Sequence, residues 1–199
     1  MFKKSILSFF IILFFLILFI TIFSIHSETF SGYTKSSNSE FIKDTSFHYS
    51  DNSIFSWPLF GYYNISSLFG YRISPKNGAS TYHSGIDIPA PEKTNIYSIC
   101  DGIVIYTGFY GSDGYAIIIQ NENFIVIYGH VSPIFLVQKN QIIQENEKIG
   151  TVGPKYIDQD SDSQYTDSTG RKTNGATTGC HLHLTIKKDD KAVNPLDYL

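Results

Sequence analysis

Polar and apolar side chains alternate without a break from Cys180 to Ile186, in the run CHLHLTI. Period two is the signature of a β-strand, whose successive side chains leave opposite faces. One set is Cys180, Leu182, Leu184 and Ile186, and a core can take all four. The other is His181, His183 and Thr185, so two of the chain's six histidines stand side by side on the outward face. Two imidazoles at that spacing repel one another when both are protonated. They are compatible when a metal or a catalytic task keeps them neutral, since neutral imidazole is the commonest metal ligand. A half-exposed strand with incidental histidines is the alternative, and the remaining polar residues decide between the two.

From Ser53 onward the same strand-like texture recurs in short runs broken by Gly, Asn, Asp and Pro, such as IYSICDGIVIYTGFYG, YAIIIQNENFIVIYGH and EKIGTVG. The second contains a predicted hairpin, with Asn121-Glu122-Asn123 as the turn and a second strand ending at Tyr128. No long segment keeps a helical period and no repeat recurs at fixed spacing. These features predict an all-β domain of antiparallel strands over residues 53–199.

The N-terminus is different in kind. Lys3 and Lys4 precede an uncharged run rich in Phe, Ile and Leu from Ser5 to Ile25. That length matches the roughly 20 residues needed to span a bilayer, and it exceeds the roughly 7–15 apolar residues of a cleaved signal peptide. The expected order is a cytoplasmic tip (1–4), a transmembrane anchor (5–25) and a Ser/Thr/Asn-rich linker (26–52), followed by the main domain. Lysines before the span and no comparable basic cluster close behind it put the N-terminus in the cytoplasm and the domain outside the cell membrane. His26 and His48 fall in the linker and carry no assigned role. The net charge of −3 and a pI near 6.0 exclude the basic field that nucleic-acid partners require.

Three polar elements bear on the histidine pair. In YHSGIDIPAP, His83 and Asp87 lie four apart, but Gly85, Pro89 and Pro91 oppose a helix. In an extended segment 83, 85 and 87 share a face, with Gly85 leaving room for the other two to converge. In IVIYGH, His130 follows a strand and a glycine, a common way to present a polar group at a sheet edge. His83, Asp87 and one histidine of the 181/183 pair would give two nitrogens and one oxygen. Three protein ligands plus water is the open arrangement of catalytic zinc, and two histidines would remain beside it to move protons.

Two further features have weaker readings. Cys180 shares a face with Leu182 and reads as a small buried residue, with a bridge to Cys100 as the alternative. The polar loop between Pro154 and Ala176 carries Asp158, Asp160 and Asp162 at alternate positions. A calcium loop would need Gly where Ser163 stands and a bidentate Glu where Thr169 stands, so a surface loop beside a cleft is expected instead.

Taken in order, H-x-x-x-D, Y-G-H and H-L-H resemble the LytM/lysostaphin-type (M23) zinc metallopeptidases. The resemblance runs from about Ser56 to Leu199 and includes FGYRISP (69–75), DGIVIYTG, the glycines of EKIGTVG and the closing VNPLDYL. It implies an antiparallel β core with the site in a groove walled by GFYGSDGY (108–115) and the polar loop. It also implies one zinc ion per chain on His83, Asp87 and His183, with His130 and His181 acting on the water. The implied substrate is bacterial peptidoglycan, cut in its peptide stems or cross-bridges. Some members of the family instead serve as non-catalytic scaffolds or as activators of other hydrolases, with an extracytoplasmic protein partner.

Overall fold

The computed structural model describes residues 53–73 and 80–199. The expected tip, anchor and linker (1–52) lie outside the described residues. Among the described residues no helix is long and apolar enough to cross a membrane. Eleven strands follow in chain order: β1 Gly70–Tyr71, β2 Tyr82–His83, β3 Ile86–Pro89, β4 Asn95–Tyr97, β5 Gly102–Phe109, β6 Tyr115–Asn121, β7 Phe124–Gly129, β8 Ile142–Ile143, β9 Lys148–Thr151, β10 His181–Lys188 and β11 Lys191–Val193. Helical structure among these residues is limited to two 3₁₀ turns, Gly111–Asp113 and Pro195–Asp197.

Seven strands form one antiparallel sheet in the order β11-β10-β7-β6-β5-β8, and β3 pairs with β10 as well. β10 is therefore the axis of the fold. Its first half pairs with β3 on the edge where its last residues pair with β11, and its other edge runs along β7. The predicted hairpin is present as β6 and β7, with Asn121 opposite Phe124 and Glu122 in the left-handed region that so tight a turn requires. The short ladders β1–β2 and β4–β9 stand apart from the main sheet.

The alternation in β10 is realised as expected. Leu182, Leu184 and Ile186 are fully buried against Ile86, Ile88, Ile117, Ile119 and Val126. Each such side chain contributes about 1.5–3 kcal/mol by leaving water. Phe55, Trp57 and Leu59, ahead of the first strand, close the same core. The opposite face of the sheet holds a second, smaller cluster of Ala116, Ile118 and Ile127. Thr185 stands opposite Ile127 on that second face, and His183 stands opposite Gly129 one step further along. The histidine face is thus the end of a buried face, where apolar side chains give way to polar ones.

Both cysteines are free. Cys180 packs against the main core, on the side that its alternation with Leu182 indicates. Cys100 is buried in that core. Burial first, then the nearby carboxylates of Asp101 and Glu145, push its thiol up to about 12. A thiol with so high a pKa stays protonated and unreactive until the pH approaches that value. At pH 8, an alkylating reagent should therefore modify Cys100 only after denaturation, which a time course of modified mass will read directly.

Candidate metal centre

The sheet register brings the polar residues together. His183 on β10 lies directly opposite Asp87 on β3, and on its other side opposite Gly129 of β7. His83 arrives separately, on the β1–β2 ladder, paired with Gly70. A bridge between Ser67 and Asp87 ties the segment before β1 to β3. Gly85 turns out to serve a different purpose from the one its spacing implied. A Cβ there would lie 2.2 Å from the carbonyl oxygen of Leu184, so the glycine makes room for the β10 backbone and not for its own neighbours' side chains. Gly85→Ala should push β3 off β10 at the Asp87 position and cost about 1–3 kcal/mol of stability, measurable by thermal or denaturant unfolding.

Three atoms converge. His83 Nε2 is 3.1 Å from Asp87 Oδ1 and 3.1 Å from His183 Nδ1, and His183 Nδ1 is 2.9 Å from Asp87 Oδ1. The other nitrogens of the two rings are occupied elsewhere. His83 Nδ1 donates to the Leu68 carbonyl at 2.8 Å, and His183 Nε2 reaches Thr185 Oγ1 at 3.0 Å. With those protons placed outward, both inward nitrogens are lone pairs, and they face a carboxylate oxygen. The second carboxylate oxygen, Oδ2, accepts from Arg72 Nη1 at 3.3 Å, which leaves Oδ1 to point at the imidazoles. Three mutually facing acceptors need a proton or a cation among them. A tetrahedral ion with ligands at about 2.0–2.2 Å would set them about 3.3–3.5 Å apart, a few tenths of an ångström wider than observed. Two imidazole nitrogens and one oxygen therefore fit a zinc-like cation. Among the described residues this is the set of His, Cys, Asp and Glu side chains that could hold a metal, and Asp158, Asp160 and Asp162 form no such group.

The electrostatics agree with the geometry. Burial alone would raise the Asp87 carboxyl, but the three imidazoles gathered around it, His181, His183 and His83, outweigh that and hold the group well below the usual carboxylate range. For His183, burial favours the neutral ring, yet the Asp87 carboxylate, which accepts a hydrogen bond from the protonated ring, and the charges of Asp113 and Asp87 raise its pKa above the ordinary value.

The remaining two histidines stand beside this triangle without joining it. His130 and His181 meet edge to face with ring centroids 4.6 Å apart. His181 Nε2 is 3.5 Å from Asp87 Oδ1, too far for a good hydrogen bond. Each ring is locked through Nδ1, which donates to the Gly179 carbonyl at 2.8 Å in His181 and to the Asn174 carbonyl at 2.7 Å in His130. Their Nε2 atoms are thus free to accept a proton. Burial, and then the neighbouring His181 and His183, hold His130 well below its ordinary pKa and so keep it neutral.

All five residues singled out from the sequence line one cleft of about 430 Å³. From the two expected walls, Ser112 and Asp113 line the cleft, and so does Ala176 at the end of the polar loop, whose N–H donates to the Ser112 carbonyl at 2.7 Å. The polar loop is folded back on itself. Asp167 Oδ1 accepts from the backbone of Thr169 and Arg171, and Arg171 stacks over the Tyr156 ring at 3.9 Å. The sequence reading missed Arg72, Thr185 and the carbonyls that orient the rings. Arg72 lies in FGYRISP, and its charge is the one available signal. The carbonyl partners leave no trace in side-chain identity.

The sequence pattern of peptidase family M23 matches residues 81–195, more than half of the chain. The chain belongs to peptidase family M23. Among curated relatives, the DD-carboxypeptidase/endopeptidase Mpg of Neisseria meningitidis is 34% identical over 136 residues, covering 68% of this chain and 27% of that protein. The murein hydrolase activator NlpD of Escherichia coli is 31% identical over 119 residues, covering 59% of this chain and 26% of the relative. The matched region therefore spans about a quarter of either protein's length. Among solved structures, a zinc-containing peptidase from Vibrio cholerae superposes with a TM-score of 0.56 at 26% identity, covering 71% of this chain and 39% of that one.

Proposed function

We propose that the chain is a zinc-dependent endopeptidase that hydrolyses the peptide stems or cross-bridges of bacterial peptidoglycan. The observation that carries this reading is the division of the ring nitrogens. His83 Nε2, His183 Nδ1 and Asp87 Oδ1 form a three-donor set, and the Nε2 atoms of His130 and His181 remain free beside it. One zinc ion per chain would be held by His83, Asp87 and His183. When bound, zinc supplies the Lewis acidity that makes water nucleophilic near neutral pH. Arg72 holds Asp87 Oδ2 and so keeps Oδ1 aimed at the imidazoles. The locked tautomers let His130 and His181 take the proton from the attacking water and return it to the leaving amine. No Glu is needed for that exchange.

The wall substrate is supported by family membership and by relatives named for DD-peptidase activity. A relative named as a hydrolase activator keeps a second reading open, that of a wall-bound scaffold acting through a protein partner. The five convergent side chains favour the enzyme. The uncharged run from Ser5 to Ile25 would act as a single-pass anchor, with the N-terminus in the cytoplasm and the catalytic domain outside. The test is to incubate the purified, zinc-loaded full chain with peptidoglycan of several cross-bridge types. Mass spectrometry should find new peptide termini that disappear with a chelator. Bound zinc without cleavage of any wall type would favour the scaffold.

A further inference from the structure

We infer that Asn174 is a positioning residue for His130. Its side chain clamps the surrounding main chain so that its own carbonyl holds the proton of His130 on Nδ1 and leaves Nε2 facing the cleft. This rests on the reading of His130 as a proton carrier.

His130 occupies an improbable place. It is a non-glycine residue in the left-handed region (φ 55°), which side chains of L-residues rarely adopt. Such a conformation persists only where the surroundings over-determine it. Here the His130 N–H donates to the Asp113 carbonyl at 2.6 Å, and the His130 carbonyl accepts from Gly153 N–H at 2.9 Å. The ring is fixed by one further contact, from Nδ1 to the Asn174 carbonyl at 2.7 Å. The direction of that carbonyl therefore decides which nitrogen carries the proton.

Asn174 is completely buried, and every polar group it has is used. Its N–H donates to the Lys155 carbonyl at 3.0 Å. Its side-chain oxygen accepts from Tyr115 N–H at 2.8 Å, and its side-chain amide donates to the Val131 carbonyl at 3.0 Å. Val131 is the residue after His130, so one amide grips the chain beside the histidine while the carbonyl of the same residue grips the ring. Two glycines yield the space. A Cβ on Gly114 would lie 2.3 Å from the Asn174 side-chain oxygen, and one on Gly153 would lie 2.7 Å from its nitrogen. A side chain with both an acceptor and a donor at one branch point meets this geometry. Asp offers no donor for Val131, and Ala offers neither group.

The experiment uses the full chain, zinc-loaded and ¹⁵N-labelled at histidine. In the wild type, NMR should show His130 protonated on Nδ1 and not on Nε2. Asn174→Asp keeps the acceptor for Tyr115 but sets a carboxylate against the Val131 carbonyl. In it the Nε2–H tautomer should become populated, and kcat on peptidoglycan should fall about 10–100-fold with zinc content unchanged and KM little affected. Asn174→Ala should do the same. A wild-type His130 with its proton on Nε2 would overturn the clamp, as would variants that keep the wild-type ring signature and kcat. If the variants do not fold, the wild-type ring measurement alone decides. A chain that cleaves no wall but shows the Nδ1–H ring, shifted in Asn174→Asp, supports the clamp while the hydrolase reading fails.

Discussion

Replacing His183 with Ala will empty the proposed metal centre and abolish the proposed hydrolysis together. The ring is buried in the sheet, between Asp87 on β3 and Gly129 on β7. Its loss removes Nδ1 from a triangle whose edges are 2.9–3.1 Å and leaves one nitrogen and one oxygen, too few to retain zinc against dialysis. Thr185→Val is the informative companion, because it removes only the hydroxyl next to His183 Nε2. Loss of a supporting contact of that kind typically lowers metal affinity about 10–100-fold, and His183→Ala should exceed that clearly in a chelator competition. The proton is the other competitor. The pKa of His183 is raised, so a proton must be displaced from it at pH values below that pKa. Zinc affinity should accordingly weaken as the pH falls through the pKa and level off above it. Undiminished zinc in His183→Ala would remove this residue from the ligand set.

What could be read from the sequence, and what could not, follows from where the information resides. The alternation of β10 is local, and it correctly separated Leu182 and Leu184 from His181 and His183. The β6–β7 hairpin was legible for the same reason, with two apolar runs and a turn between them. The strands β1, β2, β4 and β8 have only two or three residues each, too few to express any period. The candidate metal triangle itself joins residues 100 positions apart, and nothing in the spacing of His83 and His183 predicts their contact. It was reached from residue chemistry and from family likeness. The tautomers were beyond reach altogether, because three of the four rings are oriented by the backbone carbonyls of Leu68, Asn174 and Gly179. Any residue, proline included, could supply such a carbonyl as far as composition is concerned. Only the folded chain says which one does.

His181→Ala should produce the opposite pattern from His183→Ala, with zinc retained and turnover lost. The two residues sit on the same face of the same strand, so the contrast tests roles and not location. His181 Nε2 stands 3.5 Å from Asp87 Oδ1 and is no part of the three-atom set, so its removal leaves every proposed ligand in place. The backbone of residue 181 remains paired with Pro89, which keeps the register that sets His183 opposite Asp87. What disappears is a ring with Nδ1 locked on Gly179 and Nε2 beside His130. A positioned general acid or base contributes typically 10²–10⁴-fold, so kcat should fall by roughly 10²-fold or more while zinc content stays at the wild-type level. The same variant separates the enzyme from the scaffold. If the chain works by stimulating another hydrolase, His181→Ala should leave that stimulation intact, since the change is confined to the cleft. If it cuts the wall itself, peptide release should collapse with the metal still bound. Full activity in His181→Ala, or loss of its zinc, would show that the two alternate histidines do not divide the work between holding the metal and moving the proton.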